Sequence, residues 1–416
     1  MKKDGRDNRP AEQPSLREGM STRNVIIRVI LLAGFLALAT FAIGTGLHEM
    51  LSTQATWQTV EVSGRETSWA ADFTFLYDFS AVEGDPGAHR RVLGNLYSEA
   101  SRTGYRLFSP EVREEGFYNV GYLNAHPNEE VSVEPGLFPA LELVSIAEDR
   151  HVFTAPAERE YEGLLSSGDD AQAAYVDPRK NPETLAWLKE LSRFQQDPAH
   201  VRLDVTGEGK IRLTVSQEYL KFAEDYGLDT LFDFGIFQNA FLVDYLAEEI
   251  SARGYRAGYL CSFDGFTRNL DDRGVAYEQN LFHRQGREIC MPAKISYTGP
   301  KSIVVFRDYP LSGKDQWHYY VYENGETVSL YLDPADGLCK SALPELTAYS
   351  GDLSCGELVV KLADLYISDT FQQEKLAKKM DGQMDVLWFS GSDLCYTGNP
   401  PELLDADSGY ALKKVK

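Results

Sequence analysis

The stretch from Asp233 to Asn269 constrains the fold of this 416-residue chain more than any other segment. It opens with the turn sequence Asp233-Phe234-Gly235, and the apolar residues that follow are spaced to share one face of a helix. Gly254 stands where helix ends favour glycine. The residues from Tyr255 to Phe263 mix aromatic, apolar and small side chains, a pattern typical of a strand, and lead into the turn Asp264-Gly265. The stretch therefore predicts a turn, a helix, a strand and a second turn in direct succession.

The remainder of the chain alternates between the same two kinds of pattern. Residues Val201 to Val215 read as a hairpin, and Asn324-Gly325 is typical of a two-residue hairpin turn. Residues Ser354 to Tyr366 carry helical periodicity. Helices mixed with antiparallel strands in this order predict an α+β fold, with mixed, largely antiparallel sheets packed against helices.

The N-terminus predicts a membrane anchor. Residues 1–24 are polar, contain six lysines and arginines and read as a disordered cytoplasmic tail. The charge-free apolar run from Val29 to Leu47 would cover about 28 Å as a helix, close to the thickness of a bilayer core. The basic residues before it orient the N-terminus towards the cytoplasm. A cleaved signal peptide is the alternative, but the run is longer than the roughly 7–15 apolar residues usual there.

These observations divide the chain into four parts. We expect a basic tail at residues 1–24, a transmembrane signal anchor at 25–48, a juxtamembrane segment at 49–68 and one extracytoplasmic domain at 69–416. The protein would then be a single-pass protein of the cell membrane with its C-terminal domain outside the cytoplasm.

Charge and cysteine content exclude several classes of protein. The net charge of −22 argues against a nucleic-acid partner, because phosphate binding needs basic patches and none occurs outside the N-terminal tail. The five cysteines are widely spaced and form no CxxC pair, so neither a zinc site nor a disulfide framework is indicated. One or two disulfides remain possible if the domain lies outside the cell.

The residues that could carry chemistry are acidic residues in and beside turns. No GxSxG, HExxH, P-loop or GxGxxG motif occurs. The candidates are Asp233, Asp244, Asp264, Asp333 and Asp336, which could accept hydrogen bonds from a ribose or a nucleobase, or could bind a hard cation. The alternative is that these carboxylates only cap helices and close turns.

Four segments together resemble the ApbE-type FAD:protein FMN transferase family. Asp233 to Asp244 matches the family segment DLGGIAKGYAVD in length, the turn after the next strand stands where the family has GGD, and YLDPADG resembles HxIDPxTG. Upstream, Tyr122 to Asn124 and the following helix resemble the family's asparagine segment. The resemblance covers roughly residues 70–385. It implies a flavin-transferase-like fold, FAD as a possible cofactor, and cofactor-binding positions at Asn124, Asp233, Gly235, Asn239, Asp244, Asp264, Gly265 and Asp333.

The departures from the family bear on activity. Asn239-Ala240 replaces Lys-Gly, and the family's histidine is absent from YLDPADG. The family binds magnesium through an aspartate and a threonine of an ADALAT helix, and here those positions are Gly356 and Val360, which supply no side-chain oxygen. Glu357 is the alternative ligand, but on a helix its side chain points about 100° away from that of the neighbouring residue 356. Magnesium binding is therefore doubtful, and no metal ligand is assigned.

Three functions follow from the resemblance and its departures. The first is a degenerate, membrane-anchored relative that binds a flavin nucleotide or a partner protein without efficient transfer. The alternative is an active, magnesium-dependent transferase that flavinylates a threonine of an exported protein. A third is an extracytoplasmic sensor or assembly factor that shares only topology with the transferases.

Overall fold

The structure, a computed structural model, describes residues 56–62, 73–147, 150–313 and 315–415. The predicted tail and the predicted anchor at residues 25–48 lie outside these ranges. Within them, no helix combines the length and apolar character needed to cross a bilayer. The compact unit begins at Trp57, so its first strand comes from the segment that the sequence assigns to the juxtamembrane region.

The described residues form a series of strands that we number in chain order. They are β1 (Trp57–Thr59), β2 (Phe73–Asp78), β3 (Val131–Ser132), β4 (Val201–Gly207), β5 (Lys210–Val215), β6 (Gly258–Ser262), β7 (Phe266–Asn269), β8 (Ala276–Gln285), β9 (Glu288–Thr298), β10 (Lys301–Arg307), β11 (Tyr319–Val321), β12 (Thr327–Ser329), β13 (Leu332–Asp333), β14 (Leu338–Cys339), β15 (Glu345–Ser350), β16 (Asp385–Ser390), β17 (Asp393–Thr397), β18 (Glu402–Ala406) and β19 (Ala411–Lys414). The α-helices are α1 (Pro86–Phe108), α2 (Val120–Ala125), α3 (Phe138–Ile146), α4 (Ala155–Leu165), α5 (Asp170–Val176), α6 (Pro182–Gln196), α7 (Gln217–Tyr226), α8 (Gln238–Ala252), α9 (Cys355–Tyr366) and α10 (Gln373–Lys379).

A nine-stranded sheet is the centre of the described fold. Its strand order is β1-β2-β6-β7-β10-β15-β16-β17-β19. Neighbouring strands are antiparallel except β17 and β19, which run parallel. Smaller sheets are formed by β18-β9-β8 and β3-β5-β4, and two strand pairs by β11-β12 and β13-β14. The predicted α+β class with largely antiparallel sheets is confirmed.

The two faces of the central sheet are covered differently. Helices α1, α8 and α9 pack on one face, where alternate residues of β2 such as Phe75 and Tyr77 are buried among them. The other face is covered in part by the β18-β9-β8 sheet, through a second apolar cluster that includes Leu281, Ile295 and Val305. The domain is therefore layered, with helices, a large sheet and a small sheet in that order.

The stretch from Asp233 to Asn269 folds as its pattern predicts. A short 3-10 turn precedes α8, which ends at Ala252 just before Gly254. Strand β6 follows, and Asp264-Gly265 turns the chain back into β7. The predicted hairpin at residues 201–215 is β4-β5, and Asn324-Gly325 lies between β11 and β12.

Candidate functional site

The turn at Asp233 is closed by two buried carboxyl groups. Asp233 Oδ1 accepts a hydrogen bond from the Gly235 N–H at 2.7 Å. Glu158, which is on α4, accepts from the Ile236 N–H through Oε2 at 2.8 Å, and the Thr154 hydroxyl lies 2.6 Å from its Oε1. A Cβ atom on Gly235 would lie 2.6 Å from Glu158 Oε2, so glycine is needed for this close approach. The turn is therefore fastened to α4 by a residue that no sequence motif indicates.

Burial changes the acidity of both groups. Loss of hydration raises the pKa of Glu158 to about 8, and the nearby Asp233 charge contributes in the same direction. Burial also raises the pKa of Asp233 to about 6, against the opposing effect of the Gly235 N–H and of Arg159, whose Nη2 is 4.0 Å away. Near neutral pH, Glu158 therefore holds a proton that an exposed glutamate would have lost.

The second turn, Asp264-Gly265, is joined to α8. Asn239 Nδ2 donates to Asp264 Oδ2 at 2.8 Å, and both side chains are buried. Asp264 Oδ1 is buried and has no hydrogen-bond partner in the described part of the chain. Gly265 has a φ of +115°, and a Cβ there would lie 2.3 Å from the Val305 carbonyl oxygen. The structure thus places Asn239 beside the Asp264-Gly265 turn.

The space behind this turn is filled by protein. Arg307 is 4% exposed, and its Nη2 donates to the Phe263 carbonyl at 2.6 Å and to Asp315 at 2.7 Å. The ring of Phe306 stacks on Tyr366 with centroids 5.1 Å apart and contacts Tyr331 edge-on. An ion pair and a cluster of aromatic rings therefore occupy the volume next to Asp264.

Asn124 is used as a clamp between two backbone segments. Its Oδ1 accepts from the N–H groups of Leu231 and Phe232 at 2.7 and 3.0 Å. Its Nδ2 donates to the carbonyls of Phe232 at 2.7 Å and Val120 at 3.0 Å. The amide oxygen accepts two hydrogen bonds and the amide nitrogen donates two. The side chain therefore holds the segment before the Asp233 turn in place and has no unused donor or acceptor for a ligand.

Asp244 caps the helix on which the family would carry its metal ligands. Its two oxygens accept from the N–H groups of Cys355 at 3.0 Å and Gly356 at 2.8 Å, and Oδ1 also pairs with Arg268 at 2.5 Å. These are the first N–H groups of α9, which favour a carboxylate. Asp244 therefore stabilises the junction of α8, α9 and β7.

Glu357 is also committed within the fold. Its Oε2 accepts from the Ser354 N–H at 2.7 Å, and Ser354 Oγ accepts from the Glu357 N–H at 3.2 Å, which is a complete capping box. Gly356 and Val360 have no side-chain oxygen to offer a cation. Among the residues described, no group of three or more His, Cys, Asp or Glu side chains could hold a metal ion. The residues present do not fit a magnesium site at the start of α9.

Asp333 belongs to a charged turn. Its Oδ1 accepts from the Ala335 N–H at 2.9 Å, and its Oδ2 pairs with Lys340 at 2.8 Å. Lys340 also pairs with Asp336 at 2.9 Å, and these carboxylates hold the pKa of the Lys340 ammonium above its usual value. Turn closure and ion pairing account for both oxygens of Asp333.

An open cleft of about 640 Å³ lies close to this turn. In HxIDPxTG the histidine stands three positions before the aspartate, which corresponds here to Leu330, one of the lining residues. We call this the Trp317 cleft, and it is lined by Glu162, Leu165, Trp317, His318, Tyr319 and Leu330, among others. Trp317 is 59% exposed. The volume of the cleft falls within the roughly 300–1,000 Å³ usual for small-molecule sites.

Comparison with known proteins supports a relationship at the level of fold. No protein-family model and no curated protein sequence matches the chain. Among solved structures, the ApbE protein of Thermotoga maritima matches with a TM-score of 0.50 and 12% identity, over 76% of this chain and 90% of that one. A mutant of the flavin transferase ApbE from Vibrio cholerae matches with a TM-score of 0.47 and 13% identity, over 81% of this chain and 94% of that one. On the first of these two matches, the resemblance found in the sequence is confirmed for the architecture: this chain has the fold of the ApbE proteins.

Proposed function

We propose that this protein is a membrane-anchored, extracytoplasmic relative of the flavin transferases that binds a flavin without transferring FMN. The observation that carries the proposal is that residues of the family-like segments form hydrogen bonds and ion pairs within the protein. Asn124, Asp244 and Asp333 use their polar atoms in hydrogen bonds and ion pairs within the protein. These positions retain the family's architecture while their chemistry serves stability.

The start of α9 supports the loss of transfer. Cleavage of a pyrophosphate needs positive charge to stabilise the developing phosphate charge, and a bound metal ion is the usual source. Gly356 and Val360 offer no ligand, and Glu357 is held in its capping box. A chain without that counterion has no comparable stabiliser at this position.

The lining of the Trp317 cleft supports binding of the flavin ring system. Its aromatic and aliphatic walls, including Trp317, Tyr319 and Leu330, suit a flat and largely apolar ring system. Among the described residues that line it, His318 is the only one with a basic side chain, and Glu162 carries a carboxylate. Nothing in this lining would hold a phosphate strongly. We therefore expect the isoalloxazine ring to supply most of the affinity, so riboflavin, FMN and FAD should bind with similar dissociation constants.

Flavin fluorescence tests ring binding directly. The full-length protein is titrated into riboflavin, FMN and FAD, and quenching gives the three dissociation constants. Trp317→Ala should weaken all three about tenfold, because stacking on one aromatic ring contributes about 1 kcal/mol or more. Tyr226→Ala is the matched control, because Tyr226 is also 60% exposed but lies on α7 and does not line the cleft. Absence of quenching by the parent protein would eliminate flavin binding.

A transfer assay tests the other half of the proposal. The protein is incubated with FAD, Mg²⁺ and an acceptor protein that bears a threonine in an accessible segment, and the acceptor is examined by in-gel flavin fluorescence. We expect no labelled acceptor. A covalently flavinylated threonine would establish the active, magnesium-dependent transferase instead.

Membrane anchoring rests on the apolar run from Val29 to Leu47. The chain should remain in the membrane fraction after alkaline extraction, and protease added outside intact spheroplasts should digest the C-terminal domain. Release into the soluble fraction with a shortened N-terminus would identify a cleaved signal peptide.

A further inference from the structure

A second cleft, of about 560 Å³, lies between the central sheet and the β8-β9 hairpin. Five aromatic side chains line it: Trp57 from β1, Tyr259 from β6, Tyr277 and Phe282 from β8, and Tyr297 from β9. We call it the Trp57 cleft. It lies on the face of the central sheet opposite to α8 and α9, since the neighbouring β6 residue Leu260 points into the helix-covered core. None of its described lining residues also lines the Trp317 cleft.

One wall of the Trp57 cleft is the edge of a strand. Six consecutive residues, 275–280, line it. Successive side chains of a strand point to opposite faces, so an unbroken run can border one cavity only if the strand edge borders it. Among the described residues, β8 is the terminal strand of the β18-β9-β8 sheet. The cleft thus opens beside a sheet edge.

The backbone of this edge points its polar groups outward. The Phe282 N–H turns away from β9 and donates to Glu345 Oε1 on β15 at 3.1 Å. The register irregularity between Leu281 and His283 places its extra residue on β9, so β8 keeps its period of two residues and the N–H groups of Asn280 and Glu278 point the same way as that of Phe282. The Asn280 carbonyl accepts from the side chain of the adjacent Gln279, at 3.1 Å. Within the ranges that the structure describes, the Glu278 and Asn280 N–H groups donate to no backbone carbonyl outside the strand ladder, as expected for groups that point away from β9.

The aromatic wall is held in place before any ligand arrives. The Tyr277 hydroxyl donates to Asp271 Oδ2 at 2.7 Å, and Asp271 pairs with Arg273 at 2.7 Å. The Tyr277 ring stacks on Tyr297 with centroids 5.7 Å apart and meets Trp57 edge-on at 6.0 Å. A fixed aromatic pocket next to an outward-facing strand edge is the arrangement that accepts an added strand with one inserted side chain.

We infer that the edge of β8 binds an extended segment of a partner protein as an additional strand, with one apolar or aromatic side chain of that segment in the Trp57 cleft. Among the described lining residues there is one carboxylate, Glu278, and no lysine, arginine or histidine. The segment should therefore be neutral or basic. A second copy of this chain fits poorly, because each copy carries a net charge of −22. This inference does not depend on flavin binding.

A defined probe peptide tests the inference on the full-length protein. The probe alternates lysine with valine, carries one central phenylalanine and is labelled with fluorescein, and its binding is followed by fluorescence anisotropy. The variant Asn280→Pro removes the outward N–H from the edge, a position where proline is tolerated within a sheet. Asn280→Ala is the matched control, because it removes the side chain and keeps the N–H.

The expected results are specific to strand addition. Asn280→Pro should weaken binding about tenfold or more, since hydrogen bonds and backbone fit are lost together, while Asn280→Ala should change it by less than about twofold. The same probe methylated on alternate backbone nitrogens should not bind the parent protein. This second measurement tests backbone hydrogen bonding even if Asn280→Pro fails to fold.

Four outcomes would overturn the inference. They are no binding of the probe, equal binding by Asn280→Pro and Asn280→Ala, displacement of the probe by a neutral oligosaccharide such as chitohexaose, and self-association of the parent that Asn280→Pro abolishes. The third would identify a sugar as the occupant and the fourth a second copy of the chain.

Discussion

The substitution Asn124→Ala separates a structural role from a ligand-binding role at a position that the resemblance assigns to the cofactor. Asn124 is 6% exposed and joins α2 to the segment before the Asp233 turn through the amide bonds described above. Alanine would leave the buried N–H groups of Leu231 and Phe232 and the Phe232 carbonyl unpaired. Each unpaired buried group costs roughly 1–3 kcal/mol, and partial hydration reduces the sum. We expect a loss of roughly 3–5 kcal/mol in the free energy of unfolding, a large part of the total stability of a typical domain.

Urea denaturation followed by circular dichroism measures this loss. Asn181→Ala is the control, since Asn181 also accepts a backbone hydrogen bond, from Glu183 at 2.9 Å, but as an exposed helix cap. Its loss should cost about 1 kcal/mol. Flavin affinity of folded Asn124→Ala should equal that of the parent. A variant with near-normal stability and greatly weakened flavin binding would show that Asn124 contacts the ligand and that the clamp is unimportant.

Two further predictions concern the turns. Because the pKa of Glu158 is raised to about 8 in the folded protein from an ordinary value of 4.5, its contribution to stability is complete below pH 4.5 and is lost as pH rises through 8. Urea unfolding at pH 5 and pH 8.5 measures this dependence. Glu158→Gln should flatten it, so that the variant keeps on the order of 3 kcal/mol of unfolding free energy at pH 8.5 that the parent loses. If the variant shows the same pH dependence as the parent, Glu158 is ionised in the folded state. Gly265→Ala should lower the free energy of unfolding by roughly 2–4 kcal/mol, because Gly265 has a positive φ and an added Cβ would meet the Val305 carbonyl. Gly286→Ala, where φ is +64° and the space is open, should lower it by about 1 kcal/mol. Equal losses in the two glycine variants would contradict the steric argument.

Local patterns in the sequence identify much of the framework. The helix after Asp233, the hairpin at residues 201–215 and the turn at Asn324-Gly325 are all present as predicted. Each depends on interactions between residues that are close in sequence, such as helical periodicity, turn residues and strand alternation. The motif segments likewise predict the ApbE-like architecture, because their order along the chain reflects the order of the elements.

The roles of the candidate residues depend on partners that are distant in sequence. Asn124 meets Phe232, Asp244 meets the N-terminus of α9, and Glu158 meets the turn at Ile236, and no local pattern indicates these pairings. The sequence left ligand binding and turn formation open for the acidic residues, and in the structure the oxygens of Asp244 and Asp333 accept from donors within the protein.

By itself, then, the sequence determined the α+β class, the elements around Asp233 to Asn269 and the similarity of their order to that of the ApbE fold. Tertiary structure alone decided which oxygens remain available, where the two aromatic clefts lie and that β8 has an exposed edge. The physical reason is that a side chain's hydrogen-bonding capacity is fixed by its chemistry, while its use is decided by whichever donors and acceptors packing brings within about 3 Å.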